Sequence, residues 1–368
     1  MSIFSSRIQI RWRHWLLAAL SLVGLLLAIV GCRHGRKDTG SGEHPPIVYS
    51  PANNAPLCPI DGLPTTEEQI LRRPLAVMIE NSPQARPQSG LTQACAVYEA
   101  ITEGGITRFL AIYLHADPPS LGPVRSARPH FINLEREYNA AYVHCGESYE
   151  ALQILAYTPG IYDVDQLKQG KPFRRDTARK APHNLYTSSE KLRALLTSKG
   201  WNESAVAVPQ FVGQGTAESG VPAPEVRISF GGAVRYGLRW VYDAQRAGYL
   251  RYMDGKLHID RETGEPIVAR NILIQRVEAQ PYPDDKLGTY DVSVIGNGEG
   301  VFMTAGRQTP MQWRKDTDVA ITVYTDAQGH ALPFQAGQTW VELVPSSGKV
   351  SFPTPPAPPR LDHPPTRG

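Results

Sequence analysis

Apolar residues from Leu75 to Glu80 form one short continuous run, and two more, Ala94 to Thr102 and Thr107 to Leu114, flank Glu103-Gly104-Gly105-Ile106. Runs of this length predict three strands, and the glycine pair between the last two predicts a hairpin. Ala127 to Tyr138 and Tyr149 to Tyr157 are patterned as helices. Thr187-Ser188-Ser189-Glu190 has the form of a capping box opening a helix over Glu190 to Ser198, with Gly200 as its stop. Beyond Pro224 the pattern changes to short alternating runs with turn punctuation: Val226 to Phe230, Leu238 to Tyr242, Tyr249 to Met253, Leu257 to Ile259, Ile272 to Val277, Tyr290 to Ile295, Val319 to Tyr324 and Thr339 to Val344. Strands so spaced, without helices between them, predict antiparallel β structure. Gly296-Asn297-Gly298-Glu299-Gly300 is flanked by strand patterns and predicts a hairpin turn rather than a phosphate loop. The fold class is therefore α+β, a mixed α/β N-terminal domain followed by a mostly antiparallel β C-terminal domain.

The ends of the chain are patterned differently. Arg7, Arg11 and Arg13 precede an uncharged, mostly apolar stretch from Trp15 to Gly31 that ends Ile29-Val30-Gly31-Cys32. This is the layout of a secretory signal, short of the roughly 20 residues of a comfortable membrane span. Its end resembles the bacterial lipobox, in which the cysteine is acylated, with palmitate among the chains expected on Cys32, and becomes the mature N-terminus. The expected divisions are a signal peptide over 1–31, a lipidated Cys32 and tether over 32–57, domains over 58–205 and 225–350 joined by a linker over 206–224, and a Pro-rich tail over 351–368. The location that follows is the outer face of the cytoplasmic membrane.

Charge sharpens this picture. The formal net charge of +3 belongs to the signal, because residues 1–31 hold three Arg and no acid, and the remainder is neutral. No nucleic-acid partner is expected, since no Lys/Arg stripe with interleaved aromatics replaces the lost charge. Besides Cys32 there are Cys58, Cys95 and Cys145, which permit at most one internal disulfide. No Cys-x-x-Cys occurs, no His-Glu-x-x-His occurs, and neither a metal site nor a cofactor is expected.

Two polar clusters carry the candidate chemistry. In Gly122-Pro-Val-Arg125-Ser126-Ala-Arg128-Pro129, two guanidinium groups three residues apart are spaced to fork around one carboxylate or phosphate, beside the Ser126 hydroxyl. The alternative is that both Arg residues bridge to Glu99, Glu103 or Asp176. The second cluster, Phe173-Arg174-Arg175-Asp176-Thr-Ala-Arg179-Lys180-Ala-Pro182-His183-Asn184-Leu-Tyr186, cannot continue as a helix through Pro182 and reads as a loop. His144 and Cys145 are adjacent, but neighbours on a strand point to opposite faces, so the pair does not make a nucleophile and base.

The phrases Arg73-Pro-Leu-Ala-Val-Met-Ile-Glu80-Asn81, Ala85-Arg86-Pro87-Gln88-Ser89-Gly90-Leu91, Tyr98-Glu99, Glu103-Gly104-Gly105-Ile106-Thr107-Arg108-Phe109, Gly122-Pro-Val-Arg125-Ser126-Ala-Arg128, Tyr142-Val-His144 and Lys180-Ala-Pro-His183-Asn184-Leu-Tyr186 occur in that order. Together they resemble the YerB-like lipoproteins, a bacterial family classed as a domain of unknown function, from about residue 58 to 346. The resemblance implies a lipid-anchored envelope protein with an α+β N-terminal part and a distinct C-terminal part, and supplies no reaction. For sites it implies the polar members of those phrases: Arg86, Glu103, Arg108, Arg125, Ser126, Arg128, His144, His183 and Asn184. The chain departs from the family pattern after His144, where Cys145-Gly146-Glu147-Ser148-Tyr149 replaces small residues and Pro. The leading expectation is an envelope lipoprotein that binds an anionic wall component or envelope protein through these residues. The rivals are a hydrolase or transferase with His183 or His144 as base and Glu103 as acid, and a protein-recruiting scaffold.

Overall fold

The computed structural model describes residues 50, 54–204, 220–232, 237–283 and 286–353. The expected signal peptide, Cys32, most of the tether and linker, and the tail beyond residue 353 lie outside the described residues.

Five strands of the first half, β1 (Leu75–Glu80), β2 (Ala96–Ile101), β3 (Thr107–Tyr113), β4 (Ala141–His144) and β5 (Tyr162–Asp165), share a sheet with strands of the second half. The order is β5, β4, β1, β3, β2, then Thr339–Pro345, Asn271–Val277, Gly296–Thr304, Arg307–Lys315 and Val323–Asp326. Every residue of β1, β2, β3 and Thr339–Pro345 is buried. Strands at the centre of a sheet covered on both faces need largely apolar runs, as these sequences have apart from Glu80, Glu99, Arg108 and Glu342. In β1 alone, burying Leu75, Val77, Met78 and Ile79 contributes on the order of 6–12 kcal/mol before chain entropy is counted. β2 and β3 are antiparallel and joined through the turn Glu103–Gly105, as the glycine pair predicts.

The segments 58–205 and 225–350 thus share one sheet and one apolar core. The join is Thr339–Pro345, which lies between β2 and Asn271–Val277 and runs parallel to both. A second sheet orders Lys256–Leu257, Gly248–Met253, Leu238–Asp243, Glu225–Ser229 and Lys349–Ser351. It packs Trp240 edge-on against Trp340, ring centroids 5.1 Å apart, and Trp340 meets Phe109 at 5.3 Å.

Local differences from the sequence pattern have physical causes. The glycine run expected as a turn is the start of the strand Gly296–Thr304, paired along its length with Arg307–Lys315. Its glycines make room: a Cβ on Gly298 would stand 2.7 Å from the Trp313 indole nitrogen, and one on Gly300 would overlap the Ile274 carbonyl. The helix expected over Ala127–Tyr138 begins at Pro129, because Arg128 is extended and caps it, and it ends in a 3-10 turn over Arg136–Tyr138. The helix Ser189–Lys199 is capped by Ser188, whose hydroxyl accepts from the Lys191 N–H, whereas the Thr187 hydroxyl donates to the Pro172 carbonyl. Gly200, at φ +67°, stops it as expected.

Candidate functional site

The exposed end of the site is built where β1 finishes. Glu80 lies across from Arg108 of β3, so the strand register alone sets a carboxylate beside a guanidinium. The segment 122–128 runs along the same strand end: the Glu80 N–H donates to the Pro123 carbonyl and the Arg125 N–H to the Met78 carbonyl. Gly122, at φ +141°, allows Leu185 to approach, since a Cβ there would come within 2.8 Å of the Leu185 carbonyl. That approach brings the His183 loop over the end of β1.

Two carboxylates organise the cations. Glu103 accepts from Arg128 at 2.7 and 3.1 Å and forms a second ion pair with Arg108. Arg108 also donates to the Ser126 carbonyl at 2.9 Å, and Arg128 to the Ala127 carbonyl at 2.6 Å. Burial raises the Glu103 pKa, but the Arg108 and Arg128 charges outweigh it and hold the carboxyl below its ordinary range. Glu103 is therefore an anion that anchors two guanidinium groups, without a proton to donate near neutral pH. Burial, followed by the Arg128 charge, pushes Arg108 down to about 9.

Glu80, itself buried, receives the other set. Its Oε1 accepts from His183 Nδ1 at 2.8 Å and from the Ser82 hydroxyl at 2.8 Å. Its Oε2 has no hydrogen-bond partner among the described residues and lies 3.6 Å from Arg125 Nε, which has none among them either. The two guanidinium groups spaced to fork around one anion are thus divided: Arg128 is closed onto Glu103, and Arg125 remains 26% exposed with no side-chain hydrogen bond among the described residues.

The remaining expected residues have local duties. Arg86 holds the Asn81 side chain and carbonyl and pairs with Asp254 at 3.1 Å. Asn184 shapes the loop, donating to the Asp176 and Arg179 carbonyls and accepting from Arg175. His144 is buried with Nε2 2.7 Å from Asp163 and Nδ1 2.9 Å from the Gly146 carbonyl, and Glu147 and Asp165 lie beside it. Cys145 points instead to Gln166. Burial, then Asp165, raises its thiol pKa, while the Arg175 and Arg125 charges oppose that. His183 and Glu103, paired as base and acid in one expectation, bond to different groups.

Glu80 itself was not among the expected site residues. Its signal is an acid closing an otherwise apolar buried strand, a position that needs a charged partner.

Residues 60–202 match the family described as "Protein of unknown function (DUF3048) N-terminal domain", and residues 226–341 match its C-terminal domain. The chain is 35% identical over 295 residues to a Bacillus subtilis (strain 168) protein named "Putative lipoprotein YerB", an alignment covering 80% of this chain and 88% of that protein. A crystal structure of the YerB protein from Bacillus subtilis matches with a TM-score of 0.71 at 32% identity, covering 80% of this chain and 99% of that one.

Proposed function

The chain belongs to the DUF3048 family, and we propose that it is an envelope lipoprotein, anchored through Cys32 on the outer face of the cytoplasmic membrane, that binds an anionic envelope ligand at Arg125. The relative's name supports the lipoprotein reading, and Ile29-Val30-Gly31-Cys32 supplies the residue to be acylated. Two acyl chains on one cysteine meet the requirement for stable anchoring.

The observation that carries the ligand reading is the uneven commitment of three neighbouring guanidinium groups. Arg108 and Arg128 are both engaged by the single carboxylate of Glu103, while Arg125 keeps an exposed donor edge with His183 beside it on Glu80. An incoming phosphate or carboxylate of a wall polymer would take bidentate hydrogen bonds from Arg125, in a field already made positive by its neighbours. The full chain in detergent is titrated with poly(glycerol phosphate) at low salt. Arg125→Ala is expected to weaken binding about tenfold or more, because a hydrogen bond to a charged group contributes about 1.5–3 kcal/mol. Unchanged affinity in a folded Arg125→Ala protein refutes the assignment.

A further inference from the structure

Outside this site, a second cluster is assembled from four distant positions. Cys58-Pro59-Ile60-Asp61-Gly62 forms a tight turn in which the Gly62 N–H donates to the Cys58 carbonyl and the Cys58 N–H to the Leu63 carbonyl, both at 2.8 Å. Cys95 sits one residue before β2, its N–H bonded to the Ile112 carbonyl of β3 at 2.8 Å, and His115 lies just past the end of β3. The turn and the hairpin meet so that one donor atom each from Cys58, Asp61, Cys95 and His115 lies within 4.8 Å of the other three. Cys58 and Cys95 are inaccessible and not joined in a disulfide, Asp61 is 2% exposed, and the rim of the cluster is the partly exposed His115. His115 Nε2 and Asp61 Oδ2 already approach to 2.8 Å.

We propose that these four side chains form a structural zinc site. Tetrahedral zinc, with bonds of about 2.0–2.3 Å to imidazole, carboxylate and thiolate, separates its ligand atoms by about 3.3–3.8 Å, so the His115–Asp61 pair would open by about 0.5 Å to admit one ion among atoms that all lie within 4.8 Å of one another. Two sulfurs with one imidazole and one carboxylate suit zinc and disfavour calcium or magnesium, which take oxygen ligands. On binding, both thiols release their protons to solvent, His115 gives up the proton it shares with Asp61 and ligates as neutral imidazole, and Asp61 ligates as carboxylate, leaving the centre with one net negative charge. Four protein ligands leave no open position, so the site is structural rather than catalytic. Its mechanical effect is to staple the 57–64 turn to the β2–β3 hairpin. The Asp61 carbonyl also accepts from the Gly337 N–H at 2.7 Å, beside the strand that joins the two halves. A disulfide between Cys58 and Cys95 would use only two of these donors and leave the placement of Asp61 and His115 unexplained.

The test is metal analysis of the full chain, solubilised in detergent and purified without chelator or reductant, in the presence of zinc ions. About one zinc per chain is expected, falling about tenfold in Cys95→Ser and in His115→Ala and remaining in Cys145→Ser, whose sulfur is elsewhere. Wild-type protein stripped and reloaded with Co2+ should show thiolate-to-cobalt charge transfer and the d–d bands of a tetrahedral ion, a readout that does not depend on any variant folding. A zinc content below about a tenth of an equivalent, an octahedral cobalt spectrum, or a Cys58–Cys95 disulfide found by non-reducing peptide mapping of the isolated chain overturns the proposal.

Discussion

Two clusters in this molecule are made of the same side chains and differ in what is left over. At the end of β1, Glu80 and Glu103 meet Arg108, Arg125, Arg128 and His183. Between the halves, Glu99 of β2 lies across from Glu342 of Thr339–Pro345, and fully buried Arg251 pairs with Glu99. Arg251 is also packed within 4.8–5.5 Å of the ring centres of Trp340, Phe109 and Trp240. It contacts His258 at 2.9 Å, whose other nitrogen contacts Gln88 at 2.7 Å, and Trp240 donates to Glu342 at 2.8 Å. In that inner cluster the second half supplies Arg251 and His258 while the first supplies Glu99 and Gln88, so its polar groups are used in joining the halves. At the outer cluster one guanidinium keeps a face to solvent. Charge closed on itself in the interior builds the fold, and charge held at the surface by its neighbours but not consumed by them is available to a ligand.

The comparison can be broken at several points. Arg251→Met removes one partner of a buried pair and is expected to destabilise the protein by about 3–5 kcal/mol in a denaturant titration; a loss under about 1 kcal/mol would place Arg251 outside the junction. Arg128→Ala takes two hydrogen bonds from Glu103 and should cost about 1.5–3 kcal/mol. Because Glu103 is held below the ordinary value of 4.5, its contribution is present above that pH and fades as pH falls through the depressed pKa, and the variant should show a shallower acid loss of stability. Glu342 has the opposite sign. Burial, then the Glu99 charge, pushes its carboxyl well above 4.5, so its contribution is present below that pH and is lost as pH rises toward the raised pKa. Glu342→Gln, which keeps an acceptor for Trp240, should therefore be more favourable at pH 8 than at pH 4, measured by thermal melts at both. Equal effects at the two pH values would mean that Glu342 does not hold a proton.

The central strands, the β2–β3 turn and the helix Tyr149–Tyr157 were legible because their signals are local: apolar runs, paired glycines and a helical period. The parallel insertion of Thr339–Pro345 beside Ala96–Ile101 was not, because contacts between positions some 240 residues apart leave no turn between them. Gly296–Gly300 misled for a related reason, since the glycines serve Trp313 and Ile274 across the sheet rather than a bend. Of the candidate site, the Arg125–Arg128 segment and the His183 loop stood out by composition. Which carboxylate pairs with which cation depends on register, and although Glu80 stands out as an acid closing an apolar run, its partners His183 and Arg125 emerge only in the folded chain. The Cys58 turn carries no Cys-x-x-Cys signal, because Asp61 stands where a zinc knuckle usually repeats cysteine.

The most direct test measures stability and poly(glycerol phosphate) affinity together on Arg125→Ala. The expected result is a loss of at most about 1 kcal/mol of unfolding free energy, as for a partly exposed ion pair, with affinity about tenfold or more lower. A protein that loses several kcal/mol of stability, or one that binds the polymer as tightly as before, would show that Arg125 is consumed by the fold as Arg251 is, and would contradict the distinction drawn between the two clusters.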